Sequence, residues 1–255
     1  MCNAHAQQGS AQEAPPPGEL LLIDKPLDWT SFDVVAKVRN TYRKCGSKRK
    51  VGHCGTLDPK ATGLLIVATG RKTKEISQLE QLDKVYDGVM KLGAITASLD
   101  TETPEEQLCD VAHLSEAELH AVAATFIGNR LQQPPMHSAA WHNGRRLYEH
   151  ARKGEVIRER KAREIVVHRF TITKVALPFV SFELHVSKGA YIRVIADEFG
   201  AALGVGGYLA ALRRTAIGEW QLTNALSVSD TIEQIHNNAS KGALCGTAST
   251  IHPAT

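Results

Sequence analysis

Residues 51–63 read V-G-H-C-G-T-L-D-P-K-A-T-G and run straight into the apolar stretch Leu64-Leu65-Ile66-Val67-Ala68. Pro59 confines Asp58 to extended backbone, while Gly52, Gly55 and Gly63 permit the sharp reversals that let a loop hold one carboxylate at a cleft. The apolar stretch after it, Leu64 to Thr69, reads as a buried strand. On residue types alone two readings stand: a loop that presents a catalytic carboxylate, or an ordinary surface turn, because turns are rich in Asp and Gly.

The rest of the chain narrows the class. Its 255 residues, 43% hydrophobic and 22% charged, suit one large core or two modest domains of an ordinary soluble protein. No apolar segment approaches the length of a membrane span. The N-terminus lacks both a basic leader and an apolar h-region, so a cytoplasmic protein is expected. Residues 1–18, rich in Ala, Gln, Pro and Gly, are expected to form a disordered tail. Five scattered cysteines (Cys2, Cys45, Cys54, Cys109, Cys245), none in a C-x-x-C arrangement, argue against a disulfide framework or a zinc knuckle and are expected as free thiols.

A net charge of +3 conceals strong segregation. Arg39 to Lys50 holds six basic residues and no acidic one, and Ser98 to Glu118 holds seven acidic residues and no Lys or Arg. Trp141 to Arg163 sets eight basic residues against three acidic ones. The pattern suits a polyanion groove with an acidic reverse side, or else a set of solvated helix faces.

Periodicity places the elements between these features. A strand is predicted over Glu19 to Asp24, then a helix capped by Ser31 with Val34, Val35 and Val38 on its apolar face. A short helix over Thr73 to Leu79 and a strand over Lys84 to Gly93 follow. Ser115-Glu116-Ala117-Glu118 is a capping box opening a helix. Arg145 to Arg152 reads as a short basic helix, Ile165 to Val175 and Phe179 to Ser187 as paired strands, and Val194 to Leu203 and Ser229 to Ile235 as helices. His137, His142 and His150 match no metal-ligand spacing, and Gly204, Gly206 and Gly207 lack the spacing of a dinucleotide fingerprint.

The string from Gly52 to Gly63 resembles the G-H-x-G-x-L-D-P-x-A-T-G signature of the TruB-type tRNA pseudouridine synthases. Further stretches resemble that family in its own order. Lys25-Pro26-x-x-Trp29-Thr30-Ser31 is similar to K-P-x-G-x-[ST]-S, with Asp28 where the family has Gly. Lys84 to Gly93 resembles K-x-Y-x-x-x-x-x-L-G. Gln132 to Gly144 resembles Q-x-P-P-x-Y-S-A-x-K-x-x-G, with His137 replacing tyrosine and Trp141 replacing lysine, and leads into R-L-Y-x-x-A-R at Arg146 to Arg152. Lys188 to Arg193 resembles K-G-x-Y-I-R, and Leu209 to Gly218 resembles L-x-x-L-R-R-x-x-x-G. Lys60 stands where the family has leucine.

The resemblance implies a pseudouridine synthase fold of the α/β (α+β) type: a mixed, largely antiparallel sheet flanked by helices. It implies a catalytic domain over residues 19–236, a thumb insertion over about 131–163 and a flexible tail over 237–255. The 37 residues after Gly218 leave no room for the family's further C-terminal RNA-binding domain. By the same resemblance Asp58 is the catalytic aspartate, Tyr86 stacks on the flipped base and relays the C5 proton, and Arg193 pairs with Asp58. A guanidinium held against a carboxylate keeps it ionised and aimed. His53 offers a second stacking surface. Tyr191, Lys25, Lys48, Arg49, Lys50, Arg145, Arg146, Arg152, Arg213 and Arg214 are the expected RNA contacts. The implied substrate is the T-loop uridine of tRNA (position 55), bound through the T-arm stem-loop by a monomer with no protein partner.

The expected chemistry breaks a glycosidic bond, turns the uracil and rejoins it through carbon 5. Asp58 can serve as a nucleophile or as the base that gives a glycal, and the sequence leaves both open. No second carboxylate lies in the loop, unlike the paired acids of glycoside hydrolases. No cofactor and no metal are expected. A non-catalytic RNA-binding or tRNA-folding protein on the same scaffold is the alternative, and a methyltransferase would need a nucleotide-type cofactor loop that the chain lacks.

Overall fold

A computed structural model describes residues 18–240. The tails expected at the two ends fall almost wholly outside this range, as do Cys2 and Cys245. In chain order the first strands and helices are β1 (Leu20–Lys25), α1 (Ser31–Lys44), β2 (Val51–Cys54), β3 (Ala61–Thr69), α2 (Ile76–Leu79), β4 (Lys84–Leu92), β5 (Ile95–Thr96), β6 (Glu105–Glu106) and α3 (Glu116–Thr125). Then come β7 (Gly128–Gln132), β8 (Trp141–His142), β9 (Arg145–Arg146), α4 (Leu147–Ala151), β10 (Arg163–Ala176) and β11 (Phe179–Val186). The chain continues through α5 (Ile192–Ala202), β12 (Gly207–Ile217), β13 (Trp220–Gln221), β14 (Leu226–Ser227) and α6 (Val228–Ser240).

Ten strands form one sheet in the order β14-β1-β3-β12-β4-β11-β10-β7, with β2 added to β3 and β13 to β12. Only the β1–β14 and β3–β12 pairs are parallel, so the sheet is mixed and largely antiparallel. β3 explains its own apolar run. Leu65 and Val67 face a core closed by Val34, Val38 and Tyr42 of α1 and Ile235 of α6, while Leu64 and Ile66 face a second cluster with Leu22, Cys54 and Ile217. A strand buried on both faces cannot alternate with polar residues. The other half of the sheet, around β4, β11 and β10, buries Tyr86, Met90, Phe170, Phe182 and Leu184 beneath α3 and α5, which contribute Leu119, Ile195 and Phe199.

Several elements differ from the sequence reading. The 51–63 string is not one loop: its first four residues are β2, its last three open β3, and only residues 55–60 connect them. Helix α1 is capped by Thr30, not Ser31. The Asp33 amide donates to the Thr30 hydroxyl at 3.0 Å, and the Thr30 amide donates to the Asp33 carboxylate at 2.9 Å. Arg145 and Arg146 lie on a hairpin strand paired with Trp141 and His142, and the helix begins only at Leu147. Asn143 (φ 46) and Gly144 (φ 81) supply the two left-handed residues that this tight turn requires. The last helix runs on to Ser240, beyond the expected end at Ile235.

Candidate active site

The Asp58 loop is fixed on both sides of the carboxylate. Gly55 turns the chain with φ 78, and the Arg214 guanidinium, itself buried, donates to the Gly55 carbonyl at 3.0 Å and to the Leu64 carbonyl at 2.8 Å. Leu57 is locked by a reciprocal pair with Ser31: its amide donates to the Ser31 hydroxyl at 2.8 Å, and that hydroxyl donates to the Leu57 carbonyl at 3.0 Å. The cap at Thr30 is what frees Ser31 for this task. Beyond Asp58, the Ala61 amide donates to the Asp58 carbonyl at 3.0 Å. Gly63 (φ 100) lets β3 approach β12, because a Cβ there would lie 2.3 Å from the Arg214 carbonyl oxygen.

Two departures from the family pattern turn out to be partners. Asp28 adopts a left-handed backbone (φ 62), the conformation that glycine takes without strain, and its carboxylate meets Lys60 Nζ at 2.7 Å. Its amide also donates to the Pro59 carbonyl at 2.9 Å. The Lys25-Pro26 turn and the Asp58 loop are thereby tied together by residues that the family fills differently.

So held, the Asp58 side chain stays 43% exposed, with Oδ2 2.9 Å from Arg193 Nε. Arg193 enters from the first turn of α5 and is buried. Its other nitrogens donate to the carbonyls of Ser98 at 2.9 Å and His137 at 2.8 Å, and Nε also lies 3.6 Å from Asp100 Oδ2. One guanidinium therefore joins the Asp58 loop, the 96–100 turn and the segment after β7 that holds His137. Tyr86, on β4, packs in one cluster with Leu57 and Ile192, the neighbours of Asp58 and Arg193. The structure thus pairs Asp58 with Arg193 and sets Tyr86 in the core cluster that their chain neighbours share.

Asp100 was not singled out by the sequence, because it belongs to the acidic run assigned to the reverse side. It is buried, accepts from the Glu102 amide at 2.9 Å and has its carbonyl held by the Thr96 hydroxyl at 2.7 Å. No local signal marks it; the parallel bridge between Asp100 and Leu209 of β12 brings it to the site. Glu105 of the same run pairs with Lys91 and Tyr208.

The expected RNA contacts divide into two groups. Lys48, Lys50, Arg145 and Arg152 are exposed. Arg152 stacks over Tyr148 and Arg146 over Trp141, at 5.2 and 4.3 Å from the ring centroids. Arg213 is half-exposed and paired with Asp24 at 2.7 Å. Tyr191 caps α5, its amide donating to Gln132 at 2.7 Å. Arg49, Arg214 and Lys25 instead point inward. Arg49 lies against the Tyr42 ring and binds Glu19 at 2.7 Å, with only 4% of its side chain exposed. Lys25 Nζ donates to the carbonyls of Pro26 at 2.9 Å and Trp29 at 2.6 Å, and burial pulls its pKa down to about 8 against the opposing pull of Asp58. His53, on β2, has a buried Nδ1 without a partner, and burial together with Arg214 lowers its pKa and favours the neutral ring.

The mixed sheet with its flanking helices is the fold of the pseudouridine synthases. A solved Cbf5-Nop10-Gar1 complex shares the fold with a TM-score of 0.67 and 27% identity, over 88% of this chain and 56% of that one. Residues 43–192 match the TruB family pseudouridylate synthase (N terminal domain), and the chain belongs to that family. It is 98% identical to the tRNA pseudouridine synthase B of Chlorobium chlorochromatii (strain CaD3) over the whole of both chains. The tRNA pseudouridine synthase B of Chlorobaculum tepidum is 62% identical over 223 residues, covering 88% of this chain and 93% of that protein.

Proposed function

We propose that this protein converts uridine to pseudouridine in the T-loop of tRNA, acting as a monomer in the cytoplasm and recognising the T-arm stem-loop. The observation that carries the reading is the Asp58–Arg193 pair. It holds a half-exposed carboxylate from two fixed backbone anchors, with Oδ2 on the guanidinium and Oδ1 left for the substrate. Family membership and the near-identical tRNA pseudouridine synthase B support it.

The uridine leaves the RNA stack at a cost of about a few kcal/mol, which phosphate and stacking contacts offset. In this reading the exposed Lys48, Lys50, Arg145 and Arg152 supply the former, and Tyr86 and His53 supply the latter. Asp58 then assists cleavage of the N1–C1′ bond, by attack at C1′ or by taking the C2′ proton. The freed uracil turns and C5 bonds to C1′ as the Asp58–C1′ ester breaks, or, in the glycal route, as Asp58 returns the proton to C2′; the C5 proton then leaves to solvent with Tyr86 as the relay, and N1 takes up a proton in exchange. Atoms and electrons balance within the nucleotide, so the step calls for no co-reactant.

The test is tritium release from unmodified tRNA carrying uracil labelled at carbon 5. Release is expected from full-length tRNA and from the isolated T-arm hairpin, and none from tRNA in which only the T-loop uridine is replaced by cytidine. Undiminished release from the replaced tRNA would refute the T-loop assignment.

A further inference from the structure

Three side chains that the uridine chemistry leaves unused converge on the outer surface of the sheet. Asp83 immediately precedes β4, His168 lies on β10 and His185 on β11, three neighbouring positions across the sheet. On β4 and β11, Tyr86 and Leu184 are paired and turn toward the core, so Val85 and its partner His185 face the other way. The cluster therefore sits on the sheet face opposite the one that carries Tyr86.

A local irregularity builds it. Val167 pairs with Val186 and Arg169 with His185, which leaves His168 as the extra residue of a β-bulge. Bulges re-aim side chains, and this one brings the His168 ring beside His185, with ring centroids 4.7 Å apart and tilted by 47°. Both imidazoles converge on one oxygen: Asp83 Oδ2 is 3.2 Å from His168 Nε2 and 3.8 Å from His185 Nε2. One ligand atom from each residue lies within 4.8 Å of the other two.

A proton bridges two atoms, whereas a metal ion gathers three. Zinc bonds to His nitrogen and Asp oxygen of about 2.0–2.2 Å place adjacent ligand atoms about 3.3 Å apart in a tetrahedron. The Asp83–His168 separation already meets that spacing, and the half-exposed His185 and Asp83 are free to close the rest. Two imidazoles and a carboxylate form a donor set suited to borderline-soft divalent ions.

We propose that Asp83, His168 and His185 form a Zn²⁺ site, completed by water, that clips β10, β11 and the start of β4 together. Its place on the face opposite Tyr86 makes it a structural staple, and an ion that binds only the folded chain raises its stability. The sequence concealed the site because its ligands are far apart in the chain and one depends on a bulge.

The experiment uses the full-length, untagged chain at neutral pH after chelator treatment. Zn²⁺ binding is followed by calorimetry, Co²⁺ by its visible absorption, and stability by thermal melting. The wild type is expected to bind one more equivalent of Zn²⁺ than His168→Ala/His185→Ala, to give a Co²⁺ spectrum of mixed nitrogen and oxygen ligation, and to melt higher with Zn²⁺. The double variant is expected to lose that equivalent and the rise in Tm, while keeping tritium release and its metal-free Tm. The milder His168→Asn provides a folded comparison and is expected to weaken binding as well. Equal Zn²⁺ stoichiometry in the wild type and the double variant, or no binding by the wild type, would overturn the proposal.

Discussion

At the scale of single residues the site depends on how one guanidinium is shared. Arg193 faces two carboxylates and two carbonyls, so each of its three nitrogens has an acceptor. A lysine keeps the charge but cannot span four acceptors. Arg193→Lys is therefore expected to cut kcat about 100-fold, the loss typical of one misdirected polar group in a preorganised site, while tRNA affinity holds. Asp100→Asn keeps the shape and removes one of the charges steadying Arg193; its expected effect is a fall in kcat with little change in KM. Single-turnover kinetics on both variants check this, and wild-type rates would deny the shared guanidinium a role.

Lys25 makes a separate claim, about pH. Its pKa of about 8 lies below the ordinary lysine value of 10.5, so between these the unfolded chain binds more protons and stability rises with pH. The Tm of the wild type relative to Lys25→Met is expected to increase between pH 7 and pH 10; a constant difference in melts at the two ends would contradict a buried, weakened ammonium. The pairing of Asp58 with Arg193 was legible because each stands in a motif of its own. Asp100 and the burial of Lys25 were not, since both depend on contacts between segments distant in the chain.

At the scale of elements the basic segment before β2 works in two directions. Lys48 and Lys50 project outward, while Arg49 ties that segment to Glu19 and to the Tyr42 ring on α1. Removing Lys48 and Lys50 together is expected to weaken tRNA binding and to reduce the slope of log K against log salt by about 0.7–0.9 for each phosphate no longer neutralised. Arg49→Ala is expected to lower Tm instead, because Glu19 loses its cationic partner and keeps only the Tyr42 hydroxyl, and to leave the salt slope nearly unchanged. Filter binding across a salt series, paired with melting curves, separates the two outcomes; a Tm loss in the Lys variants alone would reverse the assignment. Sequence charge showed a triplet of cations but not that the middle one turns inward. The β8–β9 hairpin was readable in principle from Asn143-Gly144 between short pairs, yet the adjacent arginines read more readily as a helix. β2 escaped notice because Gly52 within it and Gly55 just after it mark a reversal more strongly than a strand.

At the scale of the molecule one extended sheet does the positioning. β3 and β12 run parallel at its centre, α5 lies across β12, and the Asp58 loop, Arg193 and Arg214 all attach to that seam. Mixed pairing and flanking helices were legible from the family motifs that recur along the chain in the family's own order. The strand order itself was not, because hydrophobic alternation reports which face is buried and says nothing of which strand lies beside it. Among the described residues no helix is long and apolar enough to cross a membrane.

The account rests on Asp58, and the most direct test compares wild type with Asp58→Asn on unmodified tRNA labelled with tritium at uracil carbon 5, measuring release and tRNA binding in the same samples. Tritium release by the wild type alone, with binding equal in both, is the expected result. Release by Asp58→Asn at the wild-type rate would contradict a catalytic role for this carboxylate, and absence of release from both with binding intact would make the protein an RNA binder on a synthase scaffold.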